Sequence, residues 1–145
     1  MPDTARQDAS DLHGPEHVRA YLETGGQHGH DWRKGSSVLL LTTTGRRSGE
    51  PRTNALIYGR SGDDYLVVAS RGGSAQPPGW YVNLKHEPEV EVQVFADRFR
   101  ARARTATAEE RPELWAEMVT HWPDYDTYQG RTEREIPVVV LERSD

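Results

Sequence analysis

The run Val38-Leu39-Leu40-Leu41 passes through three threonines, Thr42 to Thr44, into the turn Gly45-Arg46-Arg47-Ser48-Gly49-Glu50-Pro51-Arg52, and another strand-like run begins at Thr53. Strands joined by so short a turn lie antiparallel, because a parallel pair needs a crossover of a dozen or more residues. The same grammar continues down the chain. Ser37 to Thr43, Thr53 to Arg60 and Tyr65 to Ser70 read as strands, with Ser61-Gly62-Asp63-Asp64 as a hairpin turn. Glu89 to Phe95 alternates valines with Glu91 and Gln93, and Asp97 to Thr105 alternates Phe99, Ala101 and Ala103 with four arginines. Ile136 to Leu141 is a sixth strand. Helical periodicity is confined to Pro15 to Glu23, Trp80 to Lys85 and Thr107 to Thr120, the last opened by a Thr107/Glu110 capping box. His121 to Gln129 is aromatic and irregular, and Gln27 to Lys34 reads as loop. The order predicts a mainly β or α+β domain of about six antiparallel strands with flanking helices, an antiparallel sheet or small barrel. Residues 1–14 lack apolar periodicity and are expected to be a disordered tail, leaving 15–145 as one domain.

Charge narrows the function. The chain of 145 residues carries a net charge of -5 at pH 7 and has no cysteine, so disulfides, thiolate metal sites and cysteine nucleophiles are excluded. No apolar run approaches the ~20 residues needed to span a bilayer, and no signal-peptide core is present. A cytoplasmic location is expected. Acids dominate residues 1–31, whereas residues 42–86 concentrate Arg46, Arg47, Arg52, Arg60, Arg71 and Lys85. A basic middle within an acidic whole favours a compact anionic ligand over nucleic acid, which an acidic protein repels.

Four constellations carry chemistry. The Gly45–Arg52 turn is either an anion cradle, with Arg46, Arg47 and Arg52 as charge partners and Ser48 as a hydroxyl donor, or an exposed basic hairpin. It lacks the lysine and spacing of a P-loop. Ser70-Arg71-Gly72-Gly73 delivers a serine and an arginine into paired glycines, either for close backbone approach to a ligand or as a flexible loop. Trp80 and Tyr81 either wall an aromatic ligand or pack the core. Trp122, Tyr125 and Tyr128 either cap the barrel or offer phenols to a substrate oxygen. The histidines have no metal-ligand spacing, and no nucleophile elbow is present; no metal is expected.

With Thr42 to Arg52, Ser70 to Gly73, Trp80 to Leu84 and the Tyr125/Tyr128 pair in order, the chain resembles the deazaflavin-dependent nitroreductase family of actinobacteria, from about Pro15 to Glu142. The resemblance implies a split β-barrel like that of flavin-binding reductases, and coenzyme F420 as cofactor. It also implies roles. Arg46, Arg47, Ser48 and Arg52 hold the coenzyme's phosphate and glutamate tail, with Arg71, Gly72 and Gly73 nearby. Asn54, Ala55 and Leu56 run along the deazaflavin ring, supported by Trp80, Tyr81 and Asn83. Ser70, Tyr125 and Tyr128 face the substrate as catalytic candidates. Ile57 and Trp122 depart from nitroimidazole-reducing members, where aromatic and tyrosine residues are expected. The implied activity is hydride transfer from the reduced deazaflavin to a small electron-poor acceptor: a quinone by preference, an enone or a nitroaromatic. An FMN-dependent reductase of the same fold and a non-catalytic deazaflavin-binding protein are the alternatives. The N-terminal helix is expected as a lid over the pocket. Peripheral contact with the inner face of a membrane, and monomer or homodimer, stay open.

Overall fold

The structure is a computed structural model that describes residues 6–144. Seven strands form one sheet: β1 (Val38–Thr44), β2 (Pro51–Ile57), β3 (Gly59–Ser61), β4 (Asp64–Val68), β5 (Glu89–Val94), β6 (Asp97–Thr105) and β7 (Val138–Arg143). Their order is β2-β1-β5-β6-β7-β4-β3 and every pairing is antiparallel. The sheet curls into the expected split barrel, with β2 approaching β4 across the opening. Four helices flank it: α1 (Gly14–Thr24), α2 (Gly79–His86), α3 (Arg111–His121) and α4 (Asp124–Gly130). One edge strand, β2, begins with Pro51 and is covered by α1; the other, β3, is three residues long.

Side chains alternate across a strand, so a strand buried on both faces reads as a continuous apolar run. β1 is such a strand: Val38 and Leu40 enter the layer beneath the helices, and Leu39 and Leu41 enter the barrel interior. β4 and β7 repeat the pattern, with Leu66, Val68, Val138 and Val140 on the helix side and Val67, Val139 and Leu141 inside. β5 and β6 bury one face only, through Val90, Val92, Phe99 and Ala101. Their other face is charged and mostly wet, with Gln93 buried at one end, and Arg102 pairs there with Glu89.

Three elements differ from the sequence reading. The strand expected over Thr53 to Arg60 is two strands. β1 begins at Val38, opposite Ile57; beyond that pair the ladder keeps one more bond, Tyr58 N–H to the Ser37 carbonyl at 3.0 Å, and the chain then swings across to pair with β4. Gly59 allows the crossing: a Cβ there would meet Met118 Sδ at 2.7 Å. The irregular segment after His121 contains α4. Pro123 presets its first turn at φ -56°, and Asp124 and Asp126 complement its dipole. The Thr107/Glu110 box forms reciprocal bonds, Thr107 N to Glu110 Oε2 at 2.8 Å and Glu110 N to Thr107 Oγ1 at 3.3 Å, but it caps a turn and regular helix begins at Arg111.

Of residues 1–14, expected as a disordered tail, 1–5 lie outside the described residues. From Arg6 to His13 the chain packs on the body. Gln7 bridges His28, Ala9 is fully buried, and Arg6 pairs with Asp31. Asp31 also accepts from His30 Nδ1 at 2.8 Å, and His30 Nε2 accepts from the Tyr58 hydroxyl at 2.8 Å. Phe95 stacks on the imidazole at 3.8 Å. Burial lowers the His30 pKa below the ordinary imidazole value, and the Asp31 carboxylate only partly opposes this. The unfolded chain therefore takes up the proton first as pH falls. The contribution to stability is complete above about pH 6.5 and is lost on acidification. His17, buried and bonded to the Gly29 carbonyl, shifts the same way. Thermal unfolding should show a lower midpoint at pH 5.5 than at pH 7.5, with a shallower slope in His30→Gln. An unchanged slope in that variant would remove His30 from the account.

Candidate functional site

A cleft of about 290 Å³ opens where four elements meet. β2 supplies Ala55 and Leu56, the turn after β4 supplies Ser70, Arg71 and Gly72, α2 supplies Trp80, and α4 supplies Tyr125 and Tyr128. Its apolar walls are completed by Ile57, Val68, Trp122 and Trp32. Trp32, in a segment read as loop, and Val68, read only as part of a strand, are wall residues that sequence reasoning missed. α1 does not line this cleft: it leaves a separate gap of about 270 Å³ against Thr53, Asn54 and Ala55. The lid expected from α1 is thus replaced by Trp32, from the turn that follows it. Asn54 borders that gap and is exposed, but alternation along β2 sets its side chain on the face of Arg52 and Leu56, opposite Thr53 and Ala55.

The turn after β4 is held from behind. Arg134 Nη2 donates to the Ser70 carbonyl at 2.8 Å and its Nε to that of Ser74 at 2.7 Å. Arg71 sits at φ +47°, left-handed for a side-chain-bearing residue. Such strain costs about 1 kcal/mol or more and persists where its surroundings impose it. The two glycines have separate jobs. Gly72 borders the cleft, while Gly73 is buried against α4, where a Cβ would meet Tyr128 O at 2.4 Å. Gly73 is therefore a packing position, whereas the resemblance implied a place near the anionic tail. Arg71 and Gly72 likewise belong to the cleft and not to the arginine turn.

A second depression, of about 180 Å³, is lined by Gly45, Arg46, Arg47, Ser48, Arg52 and Asn83. Buried Asn83 builds it: its Oδ1 accepts from Arg46 N at 3.2 Å and Arg46 Nη1 at 2.9 Å, and its Nδ2 donates to Thr43 Oγ1 at 3.1 Å. Arg46 is thereby committed to the turn. Ser48 Oγ accepts from Glu50 N at 3.1 Å and braces the same turn. Arg47 and Arg52 are exposed, and neither pairs with a side chain among the described residues. Tyr81 lines neither depression; its hydroxyl shares a 2.8 Å hydrogen bond with Thr105 and its ring packs edge-on to Trp80.

The two depressions are joined by the same two elements. β2 runs from Arg52 at the turn to Leu56 in the cleft, ~13 Å of extended chain. α2 places Trp80 in the cleft and Asn83 at the turn, three residues apart and so on one face. The shape suits a ligand with a flat apolar head and an anionic tail. At the head end, burial pushes the Tyr125 phenol far above its ordinary pKa, so it stays neutral and keeps its proton.

Residues 14–143 match the family model described as F420H(2)-dependent quinone reductase. An F420H(2)-dependent quinone reductase of Mycobacterium tuberculosis is 43% identical over 130 residues, spanning 88% of this chain and 87% of the relative. A solved F420-H2 dependent reductase, FDR-A, is 39% identical with a TM-score of 0.68, covering 72% of this chain and 93% of its own. Another solved structure, described as a domain-swapped dimer, is 37% identical with a TM-score of 0.71, covering 88% of this chain and 95% of its own.

Proposed function

Because the chain belongs to the F420H(2)-dependent quinone reductase family, we propose that it reduces quinones with coenzyme F420, the deazaflavin ring lying in the cleft and the acidic tail on the arginine turn. The observation that carries this reading is the continuous track along β2 and α2 from two unpaired guanidinium groups to an aromatic cleft. An anionic tail fits the first and a planar ring the second.

When bound, the reduced deazaflavin supplies the hydride. The chain's own residues then bind, orient and exclude water. Arg47 and Arg52 meet the tail's phosphate and carboxylates, on a turn that Asn83 and Arg46 hold in shape. Leu56 and Trp80 flank the ring. Ile57, Val68, Trp32 and Trp122 keep the reacting end apolar, which strengthens any polar contact made inside. Tyr128 and Tyr125 donate to the acceptor oxygen that gains charge, and Ser70 lies at the same end. No catalytic acid–base pair is required. By analogy with the relative that forms a domain-swapped dimer, a homodimer is the assembly we propose.

Titration with reduced and oxidised coenzyme, followed by quinone turnover, tests the reading. Binding at micromolar concentration with turnover is expected. No binding by a folded sample would end it. A flavin absorption band in the purified protein would point to FMN, and tight binding without turnover to a carrier.

A further inference from the structure

Trp122 is held by two side chains of one short segment. Trp32 stacks on it with ring centroids 5.5 Å apart and planes at 19°. Lys34 Nζ lies 4.8 Å from its ring centroid and 2.8 Å from Asp124 Oδ2 on α4. Trp32 is itself anchored, its indole N–H donating to the Leu12 carbonyl at 2.9 Å. Residues 32–34, with Lys34 at φ +57°, thus form a clasp closing one end of the cleft. The Trp122 indole N–H in turn donates to the Tyr128 hydroxyl oxygen at 3.2 Å. Tyr128 is fixed on its other sides by Tyr125, edge-on at 6.1 Å, by Arg131 at 5.5 Å from its ring centroid, and by Gly73 behind its backbone.

We propose that Trp122 is a positioning and specificity-determining residue: held by the Trp32–Lys34 clasp, it aims the Tyr128 hydroxyl proton at the acceptor oxygen and limits the cleft to flat acceptors. The reason is hydrogen-bond arithmetic. A phenol oxygen that already accepts from an indole N–H directs its own proton elsewhere, and among the described residues no acceptor takes the Tyr128 proton. A quinone carbonyl arriving in the cleft completes the pattern. The stacked indoles form a stiff planar wall, so an acceptor with substituents out of its ring plane meets Trp32 or Trp122 before its carbonyl reaches Tyr128. The proposal rests on the reading of the cleft as the acceptor site.

Trp122→Phe keeps the stack and removes the N–H. It should lower kcat for a flat naphthoquinone about tenfold, the scale of one lost hydrogen bond, with KM and coenzyme affinity nearly unchanged. The effect should vanish in a Tyr128→Phe background, since the two act through one bond. Lys34→Ala, at an exposed side chain, loosens the wall without touching the core. It should raise the rate on a non-planar nitroimidazole relative to the naphthoquinone. Full activity in Trp122→Phe, a loss that adds in full to that of Tyr128→Phe, or an unaltered acceptor preference in Lys34→Ala would overturn the proposal. Should Trp122→Phe not fold, the Lys34→Ala profile decides alone. Failure of the unaltered protein to bind coenzyme is a different result: it removes the cleft reading, and this proposal with it.

Discussion

Replacing Arg47 and Arg52 together by alanine lowers affinity for the deazaflavin coenzyme about a hundredfold and leaves the thermal midpoint nearly unchanged. The size follows from the lower end of the charge-assisted range, about 1.5 kcal/mol per lost contact, because both side chains are exposed and screened by salt. The fold survives because neither guanidinium pairs within the described protein. Arg46 differs, since its backbone and side chain both bond Asn83; Arg46→Ala should cost stability as well as affinity. Binding measured against the tail-free deazaflavin fragment isolates the effect. The double variant should bind that fragment as the unaltered protein does. A hundredfold loss on the fragment too would place these arginines at the ring and refute the tail assignment.

Gly73→Ala should destabilise the protein by about 3 kcal/mol and abolish quinone reduction. Gly73 has φ +81°, and an added Cβ would lie 2.4 Å from Tyr128 O and 3.0 Å from its C and Cα. Those are backbone atoms of α4 and cannot swing aside. Left-handed backbone costs alanine about 1–2 kcal/mol and overpacking about 1–3 more. Either the domain loosens or α4 shifts and takes both phenols with it. Gly72 is the control. It too has positive φ, at +63°, but nothing lies within 4 Å of an added Cβ, so Gly72→Ala should cost only about 1 kcal/mol. Denaturant unfolding and steady-state kinetics on the two variants separate packing from backbone strain. Equal effects would mean that contact with Tyr128 is not what Gly73 provides.

The sheet was readable because β1, β4 and β7 are buried on both faces, and β5 and β6 bury their apolar side chains on one. Val38 to Leu41 and Val138 to Leu141 appear as unbroken apolar runs, and β5 and β6 as strict alternation. The break at Tyr58 was not readable. Tyrosine suits a strand as well as its neighbours do, and the interruption arises from where β1 begins, at Val38. α4 was hidden by its composition, since Asp-Tyr-Asp-Thr-Tyr-Gln-Gly has little apolar periodicity. Its signals were Pro123 and the acids behind it. At the site, the arginine turn and the Ser70 turn were visible as composition. Trp32 was not, because its role depends on stacking with a residue 90 positions away. Asn83 was visible in position but not in purpose: its amide belongs to the turn, through bonds that no local pattern announces.

The two free margins of the sheet have a consequence for solubility. Strand β2 starts with a proline that has no N–H to lend and lies beneath α1, while β3 is too short to template a neighbour. Stacking of copies margin to margin into fibres is thereby discouraged. Two copies of this chain must instead meet through side-chain surfaces or by exchanging a whole element, so concentrated solutions should stay clear where a longer exposed margin would seed deposits.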